Sequence, residues 1–535
     1  MSDLTNLRGP ERRPLRGRRL ALGTIAQQGS QAAGLLAMLI VTTVVGRRLS
    51  LREFGVFGLL SSLAGYLLVV QNAAAAAAVR ELAASLGAGQ RERRSVVFAS
   101  ALVLYTGGGL VAALALAICG PAVSFVLGLE GQLARDTQGG ALLLATVTAI
   151  GWPLTIFRDV LRARGRFVAL AVCEVAGIVA YAALVCALAL TAAPLWVLIG
   201  AAGTLPPAVG LTALAARPLA GGFVARSAAR PERATVGSLL AAGAGLSGAE
   251  IANAVAYTAD RGLLGALGSA RLVGLFEGPL RAHNVLRALS AALVTTVLPT
   301  AARLHASGDV AGLRELAQRG IRYALLLTAP AAAVVAAGAA VLLEVWLGQR
   351  YVAGASGLRL LCSYWLLQGA GAIAGAILVA LGRTAVVART AASALAANVL
   401  LALVAIPPLG VAGAALAFAV PAGLQALWLV WRLRQALDLT VRELLSAAVP
   451  GWLATALALA AAWAGLAVAG EAAWPALLVL PVALLVGWFV AFVTALKPAE
   501  RAFARSLLRR LPVSEDTPGT DRRSVSEGAP RPDPR

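Results

Sequence analysis

The stretch Leu49-Ser50-Leu51-Arg52-Glu53-Phe54-Gly55-Val56-Phe57 stands between two long apolar runs, and Gly268-Ser269-Ala270-Arg271-Leu272-Val273-Gly274-Leu275-Phe276 stands between two more. The two are offset by about 219 residues, too long a period for a solenoid unit. A second pair, Leu161-Arg162-Ala163-Arg164-Gly165-Arg166 and Leu378-Val379-Ala380-Leu381-Gly382-Arg383, keeps nearly the same offset. Chance likeness between alanine-rich segments has no reason to hold one register, whereas a duplication does. The chain is therefore read as two copies of one multi-helix unit.

Composition says which solvent that unit meets. Of 535 residues, 59% are hydrophobic and only 13% charged, and the mean hydropathy is +0.81. A soluble domain has about a quarter of its residues charged, so this chain belongs in a bilayer. A span needs about 20 apolar residues, and about fourteen such runs can be placed. Six, near 20–46, 54–79, 95–118, 140–157, 167–190 and 194–216, make the first copy. Six more, near 236–263, 273–298, 321–347, 357–381, 384–406 and 411–431, make the second. An even number of spans starts both copies on the same side, so the repeat is parallel rather than inverted.

Two further runs, 445–468 and 474–496, have no counterpart in the first copy. The expected fold is thus an all-α polytopic membrane protein of about 14 spans, two six-helix lobes plus two extra C-terminal helices. Its parts are a basic tail 1–19, an N-lobe 20–216, an inter-lobe loop 217–235, a C-lobe 236–431, the added spans 432–496 and a polar tail 497–535. The last is read as mostly disordered.

The net charge of +21 does not point to nucleic acid, because the arginines gather in short loops on one side rather than on the face of a soluble domain. About 35 Lys and Arg fall on the side of both tails and about eight on the other, which places both termini in the cytoplasm, with the chain in the bacterial cell membrane. The apolar run after the basic start is too long for a signal-peptide core, so the first span is retained. Cys119, Cys173, Cys186 and Cys362 sit in or beside apolar runs without metal-ligand spacing and read as small hydrophobes. No Gly-rich phosphate loop, metal cluster or nucleophile–base pair is visible, so neither an enzyme nor a cofactor is expected.

Three motifs carry a family resemblance. They are Leu49 to Phe57 after the first span; Val297-Leu298-Pro299 with Leu304 and Ser307-Gly308-Asp309 after the eighth; and Ile406-Pro407-Pro408-Leu409-Gly410-Val411-Ala412-Gly413-Ala414-Ala415-Leu416-Ala417 between the eleventh and twelfth. Physically these are turn and packing signals: the prolines end a helix, and Gly410 and Gly413 permit a tight turn and close helix approach. In them the sequence resembles the multidrug/oligosaccharidyl-lipid/polysaccharide exporter superfamily, and within it the polysaccharide branch of oligosaccharide or O-antigen flippases. The resemblance implies two lobes facing across a central cavity that opens alternately to either side. It implies a polyprenyl-diphosphate-linked glycan as cargo, and a polysaccharide polymerase and glycosyltransferases as partners beside the membrane lipids. It also implies that the last two spans edge a groove for the polyprenyl tail.

Ionisable groups inside spans are costly and therefore mark candidate sites. The seventh span carries Glu250, Asn253 and Tyr257 at helical steps of three and four, with Arg261 in line at its exit. Such a stripe faces either a cavity or an interhelical hydrogen-bond seam. The first span clusters Thr24, Gln27, Gln28 and Gln31, and Gln31 falls at the repeat position of Glu250. Amides both donate and accept, as sugar hydroxyls require. The eighth span carries Glu277, Arg281, Asn284 and Arg287. Glu277 and Arg281, at i and i+4, either neutralise each other or serve a ligand. Arg281 lies about 12 Å and Arg287 about 21 Å into the span, too deep to snorkel easily. Arg287 has no acidic neighbour within a turn, and a guanidinium pairs with phosphate bidentately while keeping its charge, which suits a diphosphate.

Arg80, beside Glu81, is a further cavity candidate, with snorkelling and an ion pair as the alternative. Glu174 in the fifth span is either a titrating group or a packed neutral acid, and His283 is read as a structural hydrogen-bonder. A cation-coupled multidrug exporter or a lipid II flippase of the same superfamily are the competing functions. The first would need a carboxylate facing the cargo; Glu250 and Glu277 keep it open, but Arg281 and Arg287 would repel a cationic drug. A non-transporting scaffold leaves the intramembrane charges unexplained.

Overall fold

The structure is a computed structural model that describes residues 15–216, 230–470 and 473–495. The basic tail, most of the inter-lobe loop and the tail from Lys497 lie outside the described residues. The N-lobe comprises α1 (Leu15–Arg48), α2 (Leu51–Gly87), α3 (Arg91–Val126), α4 (Gly131–Leu154) continued by α5 (Ile156–Ala163), α6 (Phe167–Leu190), and α7 (Leu195–Ala201) continued by α8 (Leu205–Ala215). The C-lobe comprises α9 (Arg233–Leu267), α10 (Ala270–Ala306), α11 (Val310–Ala337) continued by α12 (Ala339–Leu347), α13 (Ala355–Ser363) with α14 (Trp365–Ala380), α15 (Thr384–Leu409) and α16 (Val411–Leu437). Last come α17 (Val441–Ala469) and α18 (Ala473–Ala495). Among the described residues, twelve helices are long and apolar enough to cross a membrane, and Gln349–Ser363 with α14, bent by 43°, makes a thirteenth. The seventh expected span is α9, a helix of 35 residues.

The duplication is visible to the residue. Both α2 and α10 are 37 residues long, and their ends, like the starts of α3 and α11 and the ends of α1 and α9, stay about 219 residues apart. The repeated motif is not a loop but a capped helix start. Ser50 accepts from the Glu53 amide at 3.3 Å, Glu53 accepts from the Ser50 amide at 2.7 Å, and Ser269 accepts from the Leu272 amide at 3.4 Å. These caps satisfy first-turn amides that no carbonyl within the helix can reach.

Gly55 and Gly274, repeat partners, lie against each other where α2 and α10 cross: a Cβ on Gly55 would fall on the Ala270 carbonyl, and one on Gly274 on the Leu51 carbonyl. Only glycine lets two backbones approach so closely. The crossing is flanked symmetrically, with Gly46 of α1 packed under Leu347 and Gly265 of α9 under Leu127. On one flank polar contacts tie the lobes: the Trp346 indole donates to Thr43 Oγ1 at 2.7 Å, Arg47 Nε to the Trp346 carbonyl at 3.0 Å, and Arg350 Nη2 and Tyr351 OH to the Gly46 carbonyl at 2.6 and 2.8 Å. The lobes are thus closed at the end where α2 and α10 begin.

Below this closure the pseudo-symmetry breaks. The first half of α9 rests on the other lobe, with Leu239 packed among Ala75, Ala78 and Tyr105 of α2 and α3. Thr235 and Glu232 hold Arg93 at 2.9 and 3.1 Å. On the opposite flank a cavity separates α1 from α10. The added helices pack outside the C-lobe: Gly451 of α17 lies on Leu325 of α11, and Trp488 of α18 donates to the Leu326 carbonyl at 2.9 Å.

Candidate functional site: an arginine-lined central cavity

The cavity between the lobes has a volume of about 630 Å³, within the range of small-ligand sites. Its two walls differ in kind. The N-lobe wall offers hydroxyls and aromatic rings, notably Ser61, Ser62, Tyr66, Thr148, Trp152 and Tyr181. The C-lobe wall offers Arg261, Arg281, Asn284 and Arg287. Among the described residues, every charge on the lining comes from one lobe, and each is a cation.

Behind that wall sits Glu277, fully buried on α10. Arg261 Nε approaches its Oε1 at 2.6 Å and Arg281 Nε its Oε2 at 3.3 Å. Arg261 Nη1 also reaches Tyr66 OH across the lobes at 3.3 Å. One carboxylate thus serves two guanidinium groups, which keeps Arg261 buried yet leaves excess positive charge toward the cavity. Room for Glu277 comes from Gly58 of α2, where any Cβ would meet the carboxylate. One turn beyond Arg281, Asn284 Oδ1 accepts from Arg287 Nη1 at 3.2 Å and aims that side chain along the lining. His283, on the far face of α10, is buried with its Nε2 at 2.7 Å from Tyr364 OH, a structural contact as its position suggests.

A second polar network stiffens the N-lobe. Glu174 of α6 accepts from Gln27 Nε2 at 2.8 Å and Ser30 Oγ at 2.7 Å on α1, with Arg162 at 3.7 Å. Asp159, wholly buried, accepts from Tyr105 OH at 2.9 Å and pairs with Arg158 at 3.1 Å. In the C-lobe a different contact, Asn398 Nδ2 to Asp260 Oδ1 at 2.9 Å, joins α15 to α9.

Two comparisons bear on this arrangement. A family described as polysaccharide biosynthesis protein matches residues 44–355, more than half the chain. The chain belongs to that family. The polysaccharide biosynthesis family lies within the multidrug/oligosaccharidyl-lipid/polysaccharide exporter superfamily, and solved structures agree with its fold. An inward-facing multidrug resistance MATE transporter superposes with a TM-score of 0.65 at 16% identity, covering 76% of this chain and 94% of that one. The lipid II flippase MurJ, in an inward closed conformation, superposes at 0.63 with 11% identity, covering 91% of this chain and all of that one. An outward-facing MATE transporter gives 0.51 at 15% identity over 76% and 95%. None of the curated proteins matches the sequence.

Within this exporter fold the sequence-predicted residues separate. Arg281, Asn284 and Arg287 come together on the cavity lining, and Glu277 stands behind them. Gln28 and Gln31 are exposed on α1 and Arg80 is exposed on α2, and none of the three lines the cavity. Glu250, Asn253 and Tyr257 fall on α9, where their side chains lie outside the described residues. Glu174, unpaired along the sequence, is tied to α1. Sequence reasoning placed Arg261 at the exit of its span and overlooked Tyr66, Trp152 and Tyr181. A cation one helix away from Glu277 carries no local signal, and aromatic residues in an apolar run look like ordinary core.

Proposed function

We propose that this membrane exporter is a flippase that carries polyprenyl-diphosphate-linked oligosaccharide across the cytoplasmic membrane by alternating access, supplying cell-surface polysaccharide synthesis. One observation carries the reading: the cavity is lined by Arg261, Arg281 and Arg287 and, among the described residues, by no carboxylate. A diphosphate brings the negative charge this wall lacks, and planar guanidinium groups bind phosphate oxygens in pairs. The opposite wall of hydroxyls and aromatic rings suits a sugar, whose hydroxyls need partners that donate and accept and whose apolar faces lie against rings. The polyprenyl chain stays in lipid while the headgroup crosses, entering through the gap between α1 and α10. With both termini cytoplasmic, the closed end is the outer one and the cavity faces inward.

A lipid II flippase shares the anionic cargo, and likeness to MurJ keeps that reading open; the family description favours polysaccharide. A cationic drug would meet three arginines and be repelled. The test is reconstitution into proteoliposomes with a fluorescent polyprenyl-diphosphate oligosaccharide, lipid II and a cationic dye in parallel. The oligosaccharide should cross fastest. Fastest movement of the dye would overturn the reading, and fastest movement of lipid II would replace the glycan by peptidoglycan precursor.

A further inference from the structure

A second groove, of about 810 Å³, lies between α15 and α16 on the C-lobe and shares no lining residue with the central cavity. Its N-lobe counterpart is filled. There α1 lies on α6, with Gly23 against Phe167, Gly34 against Ile178, and Gln27 and Ser30 bonded to Glu174. The residues about 219 positions later are Val386, Ala397 and Ser393, and all three line the open groove. It is open because the first half of α9, the helix equivalent to α1, rests on α2 and α3 instead.

The groove is built like an amphiphile's mould. Arg389 lies near the start of α15 and Arg432 near the end of α16, each about 8 Å from its helix end at 1.5 Å per residue. Both line the same groove at one depth. Arg389 makes no hydrogen bond or ion pair among the described residues, and Arg432 Nε is buried without a partner. Beside them Trp428 and Trp431 pack with centroids 4.7 Å apart while remaining 47% and 39% exposed, and the Arg432 guanidinium lies 6.0 Å over the Trp431 ring. Tryptophan and arginine at one level mark the headgroup zone of a leaflet. Deeper in, the lining is mainly apolar through Ala394, Ala397, Pro421 and Leu424, with Ser393 and Gln425 among them.

We propose that this groove holds an anionic phospholipid, its phosphate between Arg389 and Arg432 and one acyl chain along α15 and α16. A basic pocket between helices on the arginine-rich side of a membrane protein is suited to such headgroups. The lipid fills the space that α1 fills in the other lobe and leaves α9 free to stay on the N-lobe.

Native mass spectrometry of the full chain released from phosphatidylglycerol vesicles tests this. The wild type should retain phosphatidylglycerol over phosphatidylcholine, and the double variant R389A/R432A should retain it at least about tenfold less. A second readout does not depend on that variant folding. Phosphatidylglycerol brominated in its chains should quench wild-type tryptophan fluorescence more than brominated phosphatidylcholine, and the excess should vanish in W428F/W431F. Equal retention by R389A/R432A, or excess quenching that survives in W428F/W431F, would overturn the proposal. So would displacement of the bound lipid by polyprenyl diphosphate, which would assign the groove to cargo.

Discussion

Glu277 faces its own repeat partner. The position about 219 residues earlier is Gly58, and the missing side chain there is the space in which the Glu277 carboxylate lies. Arg261 and Arg281 both depend on that carboxylate, and Arg261 is only 3% exposed. Removing one partner of a buried ion pair leaves an uncompensated charge, so Glu277→Ala should cost about 3 to 5 kcal/mol. Thermal unfolding in detergent measures this, and adding Arg261→Met should return part of the loss. An unchanged melting temperature in Glu277→Ala would show that the carboxylate does not hold the wall together. The i, i+4 pairing with Arg281 was legible in the sequence. Arg261 was not, because it reaches Glu277 through the packing of two helices, and Gly58 looks like any small residue in an apolar run.

Among the elements, the helices themselves were written plainly: apolar length gave the spans, and Pro407 and Pro408 do fall in the last turn of α15, with Gly410 beyond it at φ 54°. The capped starts of α2 and α10 were visible as a repeated motif but not as a crossing, since closeness between helices about 219 residues apart has no local signature. The bend between α13 and α14 was also hidden, because no proline marks it. The crossing makes a sharp prediction. In Gly274→Ala the new methyl would fall on the Leu51 carbonyl, and backbone cannot yield as a flexible side chain can. The state closed at this end should lose population. Spin labels at Arg52→Cys and Arg271→Cys, in a background without the four native cysteines, should give a longer distance in Gly274→Ala than in the parent. An unchanged distribution would mean that this crossing does not set the closure.

Across the whole molecule, the duplication predicts two parallel lobes but not their asymmetry. One flank is sealed where α9 leans on α2 and α3, and the other is parted by the cavity between α1 and α10. Sequence duplication predicts symmetry; which flank opens depends on lobe packing in one conformational state, and no single segment encodes it. The same asymmetry sets the charge, placing the cations on the C-lobe wall and hydroxyls with aromatic rings opposite. Carrying arginines at depth costs about 2.5 to 3.5 kcal/mol each on insertion scales, which a role in cargo binding explains. The flipping rate of a labelled polyprenyl-diphosphate oligosaccharide in proteoliposomes, compared between wild type and Arg287 variants of equal membrane content, tests this most directly. Arg287→Ala should slow flipping by at least about tenfold, and Arg287→Lys should recover part, because an ammonium keeps the charge but not the paired hydrogen bonds. Wild-type flipping by Arg287→Ala, with transport lost instead in Glu250→Gln, would contradict an anionic cargo held by the arginine wall.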